Sequence, residues 1–163
     1  RLMTKMTPNA NNLVEVRISI NDFILLHGLV RMAAEHPEVK KFAVVGFCFG
    51  GRLAYLTGVD QRVQKIVSYY GGRAHECVVA LAAARANSGL KVLAFFGGKD
   101  ESIPPADQAD TKNLLDAAHI SYTSQVYPDA GHAFCNYERA DRYHEASAID
   151  SISRTDTFLG AES

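Results

Sequence analysis

Across residues 13–20 apolar and polar positions alternate, with Val14, Val16, Ile18 and Ile20 on one side and Glu15, Arg17 and Ser19 on the other. A period of two predicts a short half-buried strand, the first turn of a helix being the alternative. Asn21 or Asp22 can cap a following helix through Phe23, Leu26, Val30 and Ala33. His36-Pro37 ends it, because a residue before proline is pushed out of the helical region. Lys41-Phe42-Ala43-Val44-Val45-Gly46 is a compact apolar run, the pattern of a strand buried on both faces of a parallel sheet. The same alternation predicts a helix over residues 52–57, a strand over 63–70, a helix over 76–86 and a strand over 91–96. A helix after Pro104-Pro105, a strand over 122–127 and a long amphipathic segment over about 137–159 complete it.

Strands that alternate with helices imply βαβ units with right-handed crossovers, hence an α/β fold: a mostly parallel sheet with helices on both faces. The 163 residues suit a single domain over 1–163, with 47% hydrophobic and 21% charged residues favouring a folded globule. Seventeen basic against eighteen acidic residues leave a net charge of −1 without a basic stripe, which argues against nucleic acid as a partner. The longest apolar runs fall far short of the roughly 20 residues of a bilayer span, so no membrane partner is expected. Cys48, Cys77 and Cys135 form neither a disulfide framework nor a metal knuckle. That pattern suits a reducing compartment, and a cytoplasmic location is expected.

In an open α/β sheet, chemistry gathers at the carboxyl ends of the strands. Three stretches lie there. Gly46-Phe47-Cys48-Phe49-Gly50-Gly51 sets glycines two before and two after Cys48 at a strand-to-helix turn, which allows the sharp bend of a nucleophile elbow. The amino end of the next helix would favour the thiolate, and the Phe49 backbone N–H would be an oxyanion donor. Taken alone, Cys48 reads equally well as a small buried core residue. Gly97-Gly98-Lys99-Asp100 puts a carboxylate just past a buried strand, where it can hold an imidazole. By itself it is an ordinary turn aspartate. Pro128-Asp129-Ala130-Gly131-His132 puts a histidine in the loop after the last strand, fit for general acid–base work. Nucleophile, acid and histidine, each just past a strand and in that order, is the chain order of the α/β-hydrolase triad. The other histidines show no metal-ligand spacing and read as structural, as Cys77 and Cys135 read as ordinary core residues. Tyr70 either lines the site or is a core aromatic.

These stretches together resemble the dienelactone hydrolase family: GFCFGGRLAY (46–55), VSYYGG (67–72), FFGGKDESIPP (95–105) and YPDAGHAF (127–134). The resemblance runs over about residues 22–159. It implies an α/β-hydrolase fold, a Cys48–His132–Asp100 triad, no metal or organic cofactor, and hydrolysis of an activated ester or lactone through a thioester. In the family's type activity a dienelactone ring is opened to maleylacetate. Tyr70, Phe134 and Arg139 are the candidate substrate contacts. Two departures stand out. Relatives carry several strands before the elbow, with a second oxyanion donor and a glutamate near the cysteine, whereas only forty residues precede Lys41 and the chain begins at Arg1. Relatives also carry a carboxylate-binding arginine soon after the histidine, whereas this chain reads Cys135-Asn136-Tyr137 with Arg139 out of register. A fold lacking the usual first strands is therefore expected. The rival reading is a weak or inactive hydrolase-fold protein that serves as a binding or assembly module, a homodimer covering an exposed sheet edge. A redox-active thiol protein is a weaker reading, because no Cys-x-x-Cys partner accompanies Cys48.

Overall fold

The computed structural model describes residues 13–18 and 35–160. The helix expected over residues 21–36 falls almost wholly outside them. Five strands form one parallel sheet in the order β1 (Leu13–Ile18), β2 (Lys41–Phe47), β3 (Val63–Tyr69), β4 (Lys91–Gly97) and β5 (Ser121–Tyr127). Between and after them lie α1 (Phe49–Thr57), α2 (His75–Arg85), α3 (Pro105–Ala117) and α4 (Glu145–Gly160).

Successive side chains of a strand point to opposite faces, so β2 and β4, apolar at nearly every position, and β3, apolar at Val63, Ile66, Val67 and Tyr69, feed two cores. Phe42, Val44, Ile66 and Val92 face α1, α2 and α3 and pack with Tyr55, Val78, Leu81 and Leu115. Ala43, Val45, Val67, Tyr69, Leu93 and Phe95 face the other way and pack with Phe134 and Leu159. Each fully buried residue of this size stabilises the fold by about 1.5–3 kcal/mol. Helices therefore cover both faces, as the alternation predicts.

The amino end of the segment over 137–159 differs from its sequence pattern. Residues 136–143 are exposed throughout and form tight turns, with Arg142 N–H and Tyr143 N–H donating to the Arg139 carbonyl at 2.8 Å. His144 N–H donates back to the Phe134 carbonyl at 3.0 Å, so the helix begins only at Glu145. An apolar stripe is not what docks α4. Its buried residues include Ser147, Ala148, Ser151 and Thr155, while Ile149 and Ile152 are exposed. The Tyr69 hydroxyl reaches from β3 to the Ser151 carbonyl at 3.0 Å and Thr155 Oγ1 at 2.6 Å. Lys65 Nζ donates to the Phe158 and Leu159 carbonyls at 2.9 and 3.2 Å, a cation at the negative end of the helix dipole. No helix among the described residues is long and apolar enough to cross a membrane.

Candidate active site

Cys48 stands between β2 and α1 with φ 54° and ψ −120°, a left-handed conformation that a side chain rarely adopts. Its amide donates to the Tyr69 carbonyl at 2.9 Å and its carbonyl accepts from Arg52 N–H at 3.2 Å, which ties the strained residue to strand and helix alike. Gly46 makes the turn sterically feasible, since a Cβ there would collide with the Gly50 carbonyl. At Gly51 a Cβ would lie 2.6 Å from the Tyr69 carbonyl, so α1 can approach β3 only through a glycine.

Asp100 leaves β4 on a turn in which its N–H donates to the Gly97 carbonyl at 3.2 Å. His132 leaves β5, and the fold brings all three side chains together. Cys48 Sγ lies 3.0 Å from His132 Nε2, and His132 Nδ1 lies 2.6 Å from Asp100 Oδ2. The Asp100 side chain is 1% exposed and that of His132 25%, so the pair interacts in a medium that water screens weakly.

The electrostatics follow from these contacts. The hydrogen bond from His132 holds the Cys48 thiol below its usual range, helped by the Phe49 backbone N–H and opposed by burial. Asp100 above all, and then Cys48, push His132 up to about 9. Burial favours protonation of Asp100, but hydrogen bonds from His132 and Ser102 outweigh it and keep the carboxyl below its usual value. A thiolate facing an imidazolium is the arrangement these shifts favour. It presents a strong nucleophile and a proton donor on adjacent atoms.

The remaining residues singled out in the sequence fall in different places. Tyr70 has φ 40° and is buried, its ring 5.3 Å from the His132 ring and 5.2 Å from the Phe134 ring. It forms the floor under the imidazole. Phe134 is fully buried behind Tyr70 and Tyr127, so it backs the floor and presents no surface to a ligand. Arg139 is exposed and paired with Asp141 through Nε and Nη2, each at 3.1 Å. Instead Arg142 lines the 720 Å³ cleft beside the histidine, together with Lys99, Ser102, His132, Tyr143 and His144.

Two residues here were not singled out in the sequence. Ser102 donates to Asp100 Oδ1 from both Oγ and N–H, at 2.5 and 3.0 Å. The Asp-x-Ser spacing, typical of side-chain-capped turns, was its one signal. Arg142 carried none, because the turns over residues 136–143 obey no helical period. No group of histidine, cysteine or acidic side chains among the described residues is arranged to hold a metal ion.

The dienelactone hydrolase family model matches residues 3–163. A Yersinia pestis protein provisionally named carboxymethylenebutenolidase is 33% identical over 150 residues, 88% of this chain and 56% of its own length. A protein of the same provisional name from Escherichia coli is 31% identical over 122 residues, 72% of this chain and 45% of its own. The chain thus spans about half the length of the curated relatives it matches. A crystal structure of a provisionally named dienelactone hydrolase from Klebsiella pneumoniae superposes with a TM-score of 0.70 at 29% identity, over 84% of this chain and 59% of the other. With the fold, the elbow sequence and the match along nearly its whole length in agreement, the chain belongs to the dienelactone hydrolase family.

Proposed function

We propose that this chain carries the reaction centre of a hydrolase that cleaves activated esters or lactones through a Cys48 thioester. The observation that carries the reading is the continuous relay from Cys48 Sγ through His132 to Asp100, with spacings of 3.0 and 2.6 Å. The Cys48 thiolate attacks the substrate carbonyl carbon. The oxyanion that forms accepts a hydrogen bond from the Phe49 backbone N–H, the donor that the turn already directs at the sulfur. As the tetrahedral adduct collapses, the carbon–oxygen bond breaks and the alkoxide takes the Nε2 proton of His132. Asp100 holds the ring by its Nδ1–H and stabilises the imidazolium until that transfer. The neutral imidazole then removes a proton from water, the hydroxide attacks the thioester, and the acid leaves as the thiolate reforms beside the imidazolium.

The provisional name shared by several relatives suggests a small unsaturated lactone as the first substrate to try, beside p-nitrophenyl acetate as a general activated ester. Such chemistry needs Cys48 kept reduced, and Cys48, Cys77 and Cys135 are all free. A homodimer over an exposed sheet edge belongs instead to the rival reading, a hydrolase-fold protein that serves as a binding or assembly module. A monomer mass in light scattering would discard that part.

The test is a mass spectrum taken shortly after mixing with p-nitrophenyl acetate. Wild type is expected to gain one acetyl group on Cys48 and then lose it, whereas Cys48→Ala gains none. An adduct that persists in Cys48→Ala, or wild type that neither acylates nor turns over, refutes the reading in favour of a binding module.

A further inference from the structure

We propose that Ser102 is a positioning residue for Asp100: a hydrogen-bonded seal that keeps the carboxylate dry and aimed at His132. The inference rests on the proposed use of the thiolate–imidazolium pair, and extends it to a residue outside the three.

Asp100 has two carboxylate oxygens and only one faces the imidazole. Oδ2 accepts from His132 Nδ1 at 2.6 Å. Oδ1 is held by Ser102 alone among the hydrogen bonds described for it, through the hydroxyl at 2.5 Å and the backbone N–H at 3.0 Å. Two donors on one oxygen fix the rotation of the carboxylate about its last bond, and so fix where Oδ2 points. The Ser102 hydroxyl also lies 3.4 Å from His132 Nδ1, so it bridges acid and base.

Exposure separates this role from simple hydrogen bonding. Ser102 is exposed and lines the open cleft, whereas the Asp100 side chain beneath it is 1% exposed. His132 and Asp100 border the same cleft, yet the Asp100 carboxylate is closed off from it, and Ser102, bonded to Oδ1, is the exposed group on that side. Its backbone is held in place by Ile103, which is buried in the core on the next residue and donates its N–H to the Asp100 carbonyl at 3.2 Å. An attraction between charges strengthens as the surrounding dielectric falls. Removing the hydroxyl admits water to Oδ1, leaves one donor where there were two, and weakens the hold of Asp100 on His132. The imidazolium is then less stabilised and gives its proton back to Cys48 more readily, so the thiolate is less favoured.

The experiment is Ser102→Ala beside Ser102→Thr, which keeps the hydroxyl. The pH dependence of iodoacetamide alkylation at Cys48 reports the thiolate without any substrate, and p-nitrophenyl acetate hydrolysis gives kcat and KM. Ser102→Ala is expected to move the thiol titration midpoint upward. It should also lower alkylation at neutral pH and kcat by about tenfold, on the order of one hydrogen bond to a charged group, with KM unchanged. Ser102→Thr is expected to restore both. An unchanged midpoint in a Ser102→Ala protein with wild-type circular dichroism and Tm overturns the proposal, even if the wild type hydrolyses esters. A shifted midpoint upholds it even if no ester is turned over, in which case the hydrolase reading alone fails.

Discussion

Asp100→Asn removes one charge from the relay and little volume, so it isolates what the carboxylate does. His132 ordinarily titrates near 6.5 and is pushed up to about 9 here, a stabilisation of the imidazolium of about 3 kcal/mol at 1.36 kcal/mol per unit. Asp100 supplies the larger share and Cys48 the rest. An asparagine amide keeps a hydrogen bond to the ring but supplies no charge, and it can present its NH₂ to Nδ1 and so select the wrong tautomer. Asp100 also repels the thiolate directly, but that is the smallest of the influences on Cys48, whereas the His132 hydrogen bond is the largest. The net expectation is therefore a higher thiol titration midpoint in Asp100→Asn. Losing more than half of about 3 kcal/mol corresponds to about 10- to 100-fold less thiolate at neutral pH. Stopped-flow alkylation by iodoacetamide between pH 5 and 10 measures it, with Cys48→Ala as the blank. A profile superimposable on wild type would refute the electrostatic coupling argued from the 2.6 Å contact.

Two further outcomes follow from the same structure. His132, raised in the fold, contributes stability that is complete below about 6.5 and is lost as pH rises toward about 9, whereas Cys48, lowered in the fold, contributes stability that is complete above about 8.5 and is lost as pH falls. The two oppose each other in the window between, so the wild-type Tm should stay nearly flat there, while in Cys48→Ala it should fall by about 3 °C or more, read by differential scanning calorimetry. Gly46→Ala would drive a methyl into the Gly50 carbonyl and should cost about 1–3 kcal/mol, seen as a lower urea midpoint; a wild-type midpoint would show that the elbow has room to relax.

The parts of the fold legible in the sequence were those where burial and hydrophobicity coincide. β2 and β4 are buried at almost every position and carry apolar residues there, and β3 does so apart from Lys65 and Ser68, so their boundaries fall within a residue of the pattern. In α4 the two separate. Ser147, Ser151 and Thr155 are buried because their polar atoms and backbone meet partners such as the Tyr69 and His144 side chains, while Ile149 and Ile152 face outward. No hydrophobic period can report such a helix. The site divides in the same way. Cys48, Asp100 and His132 are marked by glycine turns at strand ends, a local signal. Ser102 acts through a contact that any turn serine could make, and the placement of Arg142 rather than Arg139 on the cleft depends on how residues 136–143 fold back on themselves.

Backbone strain gives a further account of why the site sits where it does. Six non-glycine residues among those described have φ between 40° and 61°. Asn87 and His119 follow the ends of α2 and α3, where a left-handed residue is an ordinary way to close a helix. Arg73 precedes α2 and shares Glu76 with Arg52. The other three surround the relay: Cys48 itself, Tyr70 beneath the imidazole, and Ala133 directly after His132. Strain of about 1–3 kcal/mol per residue persists only where neighbouring structure over-determines it. Here Cys48 is pinned at both its N–H and its carbonyl, and Tyr70 N–H donates to the Phe95 carbonyl at 2.7 Å. The sheet thus holds Cys48 and the floor under the imidazole in conformations that the local chain disfavours. A cysteine in relaxed geometry at the same point would follow either the strand or the helix, and its sulfur would not stand 3.0 Å from Nε2.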